Sequence, residues 1–130
     1  MDIIELAGYS NFKQLIKSAQ EGNATAQFNL GVMYFDGKEV PQNFLEAAKW
    51  YGRAADQGDK QAQFNLGLMC YRGTGIPQNY HYAYELFSLA AAQGDERAKQ
   101  GMTAILLEAP AEQAAEIRKL AGETTDATRH

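Results

Sequence analysis

The chain has a single cysteine, Cys70, so no intrachain disulfide can form and nothing ties the fold to an oxidising compartment. Basic residues are also scarce: 12 Lys and Arg against 16 Asp and Glu leave a formal charge of −4, with no basic run. A protein that tracks phosphates needs a basic face, so nucleic acid is not an expected partner. No apolar stretch is long enough to span a bilayer, which argues against membrane insertion. The start, Met1-Asp2-Ile3-Ile4-Glu5, lacks a basic leader region and its apolar run breaks at Glu5, so it does not read as a signal peptide and a cytoplasmic location is expected. Two histidines, His81 and His130, with one cysteine do not make a metal set, and no cofactor is expected. Gly73-Thr74-Gly75 lacks the lysine of a phosphate-binding loop.

What is present is a repeat. Gln27-Phe28-Asn29-Leu30-Gly31 returns unchanged 36 residues later as Gln63-Phe64-Asn65-Leu66-Gly67. The same offset carries Pro41-Gln42-Asn43 onto Pro77-Gln78-Asn79 and Gln57-Gly58 onto Gln93-Gly94, with 16 of 36 positions identical. A fixed period of this length marks stacked units that cannot bury an apolar face alone. With 130 residues and 45% hydrophobic content, the chain is expected to fold as one domain.

Each unit reads as two helices. In the first, residues 23–58, Asn23 caps a helix with Ala26, Leu30, Met33 and Tyr34 on one face, and Gly31 leaves room for a close neighbour. After Asp36-Gly37 and Val40-Pro41, Asn43 caps a second helix, with Glu46 expected to complete a capping box. That helix carries Ala47, Ala48, Trp50, Tyr51, Ala54 and Ala55, and Gly58 stops it. Residues 59–94 repeat the plan with Asp59 and Asn79 as caps. A leading half-unit, residues 11–22, is expected to start at an Asn11 cap and to present Phe12, Leu15, Ile16 and Ala19. A separate short turn over residues 2–8 would tuck in Ile3, Ile4 and Leu6. Residues 95–121 form a closing unit whose last helix, opened by Pro110, presents Ala114, Ile117, Leu120 and Ala121 inward. The expected architecture is all-α: an α/α solenoid of stacked antiparallel helix pairs, with two full repeats, terminal half-repeats and a C-terminal capping helix. The domain spans residues 1–121 and the polar segment 122–130 is a tail.

The run from Ala26 to Tyr34, then Gly37, Val40, Ala47, Trp50-Tyr51, Ala54-Ala55 and Gly58, resembles the Sel-one-like repeat, a tetratricopeptide-like family. The second copy matches through Leu66-Gly67, Gly73-Thr74-Gly75-Ile76, Ala83, Ala90-Ala91 and Gly94. Two positions depart from the pattern: Glu39 stands where a turn glycine is usual, which would strain or reshape that turn, and Cys70 stands where tyrosine is usual. The resemblance implies a protein-binding module, an adaptor or scaffold of bacterial type rather than an enzyme. The alternative is a dedicated inhibitor or immunity protein for one toxin.

Helix geometry and the resemblance together place a protein or peptide partner. Thr25, Phe28, Val32, Phe35 and Asp36 lie opposite the buried stripe of the first helix. Their counterparts are Gln61, Phe64, Leu68, Tyr71 and Arg72 in the second unit, and Arg97, Gln100, Ala104, Leu107 and Glu108 in the third. Stacked, they would line a concave groove suited to an extended or helical peptide. Phe28 and Phe64 have a second reading, as packing between units. A further surface comes from the second helices, where the polar stripe Glu46, Lys49, Arg53 and Asp56 becomes Tyr82, Glu85, Leu89 and Ala92. That face is either covered by the C-terminal elements or used for a dimer or partner. A hydrolase would need Cys70 or a serine activated by His81, and no third group stands at a recognisable spacing.

Overall fold

The structure, a computed structural model, describes residues 3–122, with side chains from residue 11 onward. Seven helices and no strand occur among the described residues: α1 (Ile3–Gln20), α2 (Ala24–Asp36), α3 (Phe44–Asp56), α4 (Lys60–Arg72), α5 (Tyr80–Ala92), α6 (Glu96–Glu108) and α7 (Ala111–Leu120). The fold is an α/α solenoid in which α2 pairs with α3 and α4 with α5, flanked by α1 before and by α6 and α7 after. Residues 123–130, and the inward placement of Ile3, Ile4 and Leu6, lie outside what is described.

Local chemistry sets the boundaries. The side chains of Asn23, Asn43, Asp59 and Asn79 each accept from a backbone N–H three residues on, at 2.8–3.0 Å, satisfying one free amide of the first turn. Two expectations are corrected. α1 runs unbroken through Asn11, which is therefore not a cap. No proline interrupts that stretch, and an internal Gly8 costs only about 1 kcal/mol. Glu46 does not close a capping box either, because the Asn43 N–H already donates to the Tyr34 carbonyl at 2.8 Å. The Glu46 carboxylate turns outward to Lys49 at 3.4 Å.

The repeated glutamines have a structural reason. Buried Gln27 donates to the Ala19 carbonyl at 3.0 Å, and Gln57 donates both to Gln27 Oε1 at 2.8 Å and to the Gly22 carbonyl at 2.9 Å. The next unit repeats the clamp: Gln63 to Ala55, and Gln93 to Gln63 and to Gly58. Each clamp ties three successive helices through groups that burial would otherwise leave unpaired.

Aromatic rings fill the remaining interior. Tyr51 lies so close over Gly31 that an added Cβ would sit 2.6 Å from the ring, and Phe87 stands over Gly67 in the same way at 2.7 Å. Glu39 occupies the left-handed region at φ 67°, where the matching Gly75 has φ 73°. This is the strain the sequence predicts. At the C-terminal end Ala114 and Ile117 are buried as expected, but Leu120 is 73% exposed and Ala121 is exposed, because both lie at the end of α7 with no element beyond to cover them.

Candidate binding cleft

Two seams join successive first helices, and they differ. At the first, between α2 and α4, Tyr51 lies against Gly31 and its hydroxyl is hydrogen-bonded by Asn65. The second, between α4 and α6, has Phe87 and Gly101 at the positions 36 residues on. With no side chain on Gly101, α6 closes down until a Cβ there would be 2.6 Å from the Phe87 ring. The second seam is also fastened at both ends. The Arg97 guanidinium sits 4.1 Å over the Phe64 ring, and the Tyr71 hydroxyl donates to the Glu108 carboxylate. The first-seam counterparts are Gln61 with Phe28 and Arg72 with Phe35. The backbones of α4 and α6 approach somewhat more closely than those of α2 and α4.

The first seam contains an open cavity of about 300 Å³. Val32, Phe35, Leu68 and Met69 form its apolar wall, and Asp36, Tyr51, Asn65, Arg72 and Thr74 supply polar groups. Burial raises the Tyr51 pKa, opposed by the Asn65 hydrogen bond and reinforced by the nearby Asp36 charge, so the phenol stays protonated. Asp36 and Arg72 are both exposed, and neither has an ion-pair partner within 4.0 Å among the described residues.

Five of the ten groove residues named in the first two units therefore meet at this cavity: Val32, Phe35, Asp36, Leu68 and Arg72. The others do not. Phe64 is 8% exposed and packs on Phe87 with ring centroids 5.7 Å apart, and Phe28 packs likewise on Tyr51 at 5.7 Å. Each ring thus packs within its own helix pair, and Phe64 also lies under Arg97 of the next unit. Tyr71 belongs to the second seam, bonded to Glu108. Thr25 and Gln61 are exposed near the helix starts, away from the cavity. Tyr51, Asn65, Met69 and Thr74 were not foreseen. The sequence signal for two of them is the joint change from Tyr51 and Asn65 to Phe87 and Gly101.

On the outer side, His81, Tyr84, Glu85 and Ser88 of α5 face Ile117, Leu120 and Ala121 at the end of α7 across a shallow pocket, which Tyr82 and Leu89 do not line. Tyr82 and Leu89 are 40% and 52% exposed among the described residues. Cys70 is 1% exposed, and burial pushes its pKa up to about 11, which leaves almost no nucleophilic thiolate at neutral pH. His81 Nε2 faces Glu116 at 3.7 Å. Among the described residues no group of three His, Cys, Asp or Glu could hold a metal, and no helix is long and apolar enough to cross a membrane.

The pattern of the Sel1 repeat matches residues 24–59 and 60–95, more than half of the chain. The chain belongs to the Sel1 repeat family. Solved Sel1 structures superpose on it. A Sel1 repeat protein from Oxalobacter formigenes gives a TM-score of 0.69 at 37% identity, covering 70% of this chain and 26% of that one. A protective antigen of uropathogenic Escherichia coli with the same repeat fold gives 0.69 at 32% identity, covering 86% and 25%. Helicobacter pylori cysteine rich protein B gives 0.67 at 28% identity, covering 72% and 70%. The secretory immunoglobulin A-binding protein EsiB of Escherichia coli is 40% identical over 47 residues, 36% of this chain and 10% of that protein. The chain thus spans about a quarter of the first two of these relatives and 10% of EsiB, against 70% of the Helicobacter pylori protein. Sel1 repeat proteins are in general protein–protein interaction modules.

Proposed function

We propose that this Sel1 array is a non-catalytic adaptor that holds a peptide segment of a protein partner in the cleft between α2 and α4. The observation that carries this reading is the 300 Å³ cavity, at the lower end of the ~300–1,000 Å³ usual for ligand pockets, with a mostly apolar wall and a few polar groups at its edge. Its size fits one or two side chains of an extended chain. The buried, protonated Cys70 supports a role without nucleophilic catalysis.

The test is an interaction screen of the protein beside Leu68→Glu, with helicity checked by circular dichroism. Leu68 is half-buried at the cavity wall, so a charge there blocks the cleft. Loss of a stoichiometric partner in the variant supports the reading, and equal recovery from both proteins removes the cleft as the site. The exposed Tyr82 and Leu89 favour a second reading, in which the outer face of α5 pairs with another copy or a second protein. If Leu89→Glu leaves the oligomeric state and the recovered partners unchanged, that reading is lost.

A further inference from the structure

The two rim charges of the cleft tell what kind of segment fits it. Asp36 is the last residue of α2 and Arg72 the last of α4, so the two stand on opposite walls at the same end of the seam. Arg72 suits its position, since a helix C-terminus carries partial negative charge and favours a cation. Asp36 does not. It adds a carboxylate to the negative end of a helix that has no basic residue in its last turn. The next charge in the row, Glu108, is engaged by Tyr71 at the second seam, but Asp36 and Arg72 have no ion-pair partner within 4.0 Å among the described residues. Between them lie Val32, Phe35, Leu68 and Met69.

We propose that the cleft selects a peptide segment in which one large apolar side chain is flanked by a basic residue on the Asp36 side and an acidic residue on the Arg72 side. The proposal rests on the adaptor reading above and adds to it a partner chemistry and a fixed polarity. The basic residue meets the Asp36 carboxylate, and the acidic residue meets the Arg72 guanidinium. The apolar side chain enters between Phe35 and Leu68. A segment of reversed polarity would set like charges against each other on both walls, so charge sets the direction of the chain more than the total affinity. The second seam offers no equivalent, because Gly101 lets it close and Tyr71 occupies Glu108.

The experiment is selection of a displayed random peptide library on the immobilised protein, repeated on an Asp36→Lys/Arg72→Glu double variant. Both residues are exposed, so the exchange leaves the interior intact. Wild type is expected to enrich sequences with a basic residue, an apolar residue and an acidic residue in constant order, and the variant to enrich the opposite order. A synthetic peptide from the first selection should bind the variant about tenfold more weakly, and its charge-swapped version should recover that loss. Enriched peptides with no charge order, or an order unchanged by the variant, would overturn this proposal while leaving the adaptor reading in place. Failure of wild type to enrich any peptide would overturn both.

Discussion

The two seams of this solenoid are built from the same 36-residue unit, yet one holds an open cavity and the other packs tightly around Phe87. The backbone plan is shared. What differs is a small set of paired positions: Tyr51 and Asn65 against Phe87 and Gly101, Gln61 against Arg97, and Arg72 against Glu108. At the first seam the Tyr51 hydroxyl has Asn65 of α4 as its polar neighbour. At the second the hydroxyl is gone, the neighbour has no side chain, and the helix descends onto the ring. In a stacked repeat, then, a binding cleft arises where one interface packs less tightly than the next.

The largest effect should come from removing the ring that the closed seam is packed around. Phe87 is fully buried, and Phe87→Ala should destabilise the protein by about 3–5 kcal/mol, measured by urea denaturation. If the loss is well under that, the seam collapses around the gap and is less rigid than its packing implies. Converting the closed seam toward the open one comes next. Gly101→Asn forces a side chain against Phe87 and should cost about 1–3 kcal/mol. Adding Phe87→Tyr should recover part of that loss, because the new amide then has a hydroxyl to meet. An additive double mutant would show that the two positions are not a matched pair.

The third comparison is between the turns of the two units. Glu39→Gly should stabilise by about 1 kcal/mol, since it relieves a left-handed residue. Gly75→Ala should destabilise, because its Cβ would also collide with Phe44. Thermal melts of both variants check the two signs. The smallest effect belongs to the polar latch, where Tyr71→Phe should lose less than about 1 kcal/mol, as exposed polar contacts do. Its titration is the more telling measurement. The hydrogen bond to Glu108, with some burial and the Glu108 charge, pushes the Tyr71 pKa up to about 12. A raised pKa contributes stability that is whole below the ordinary tyrosine value of about 10 and is lost as pH rises through about 12. Ultraviolet absorbance of the phenolates should therefore show a late-titrating component that is lost in Tyr71→Phe and shifts back toward about 10 in Glu108→Gln.

Much of the architecture is legible in the sequence because helix stripes, asparagine caps and the 36-residue offset all point to one arrangement. The misses have physical causes. Asn11 has the side chain of a cap, but nothing before it ends the preceding helix. Glu46 has the right spacing for a capping box, but a tertiary carbonyl reaches the Asn43 N–H first. At the cleft, helix geometry correctly turns Val32, Phe35, Asp36, Leu68 and Arg72 toward the seam. It cannot say which seam stays open, because that depends on neighbours from different helices. Tyr51 comes from a second helix and Thr74 from a loop, so no single-helix projection includes them.

The glutamine clamp bears on how such chains lengthen. Every clamp uses one carbonyl from the helix before the unit, one amide from its first helix and one from the turn that ends it. Its ends are the same at every step, so a duplicated 36-residue block would arrive with its polar ties already matched to both neighbours. Growth by copying then needs no redesign of the interior, and relatives about four times the length of the shared region can be reached by counting. Each new copy is free to vary the few seam positions that decide whether it opens a cleft or seals one.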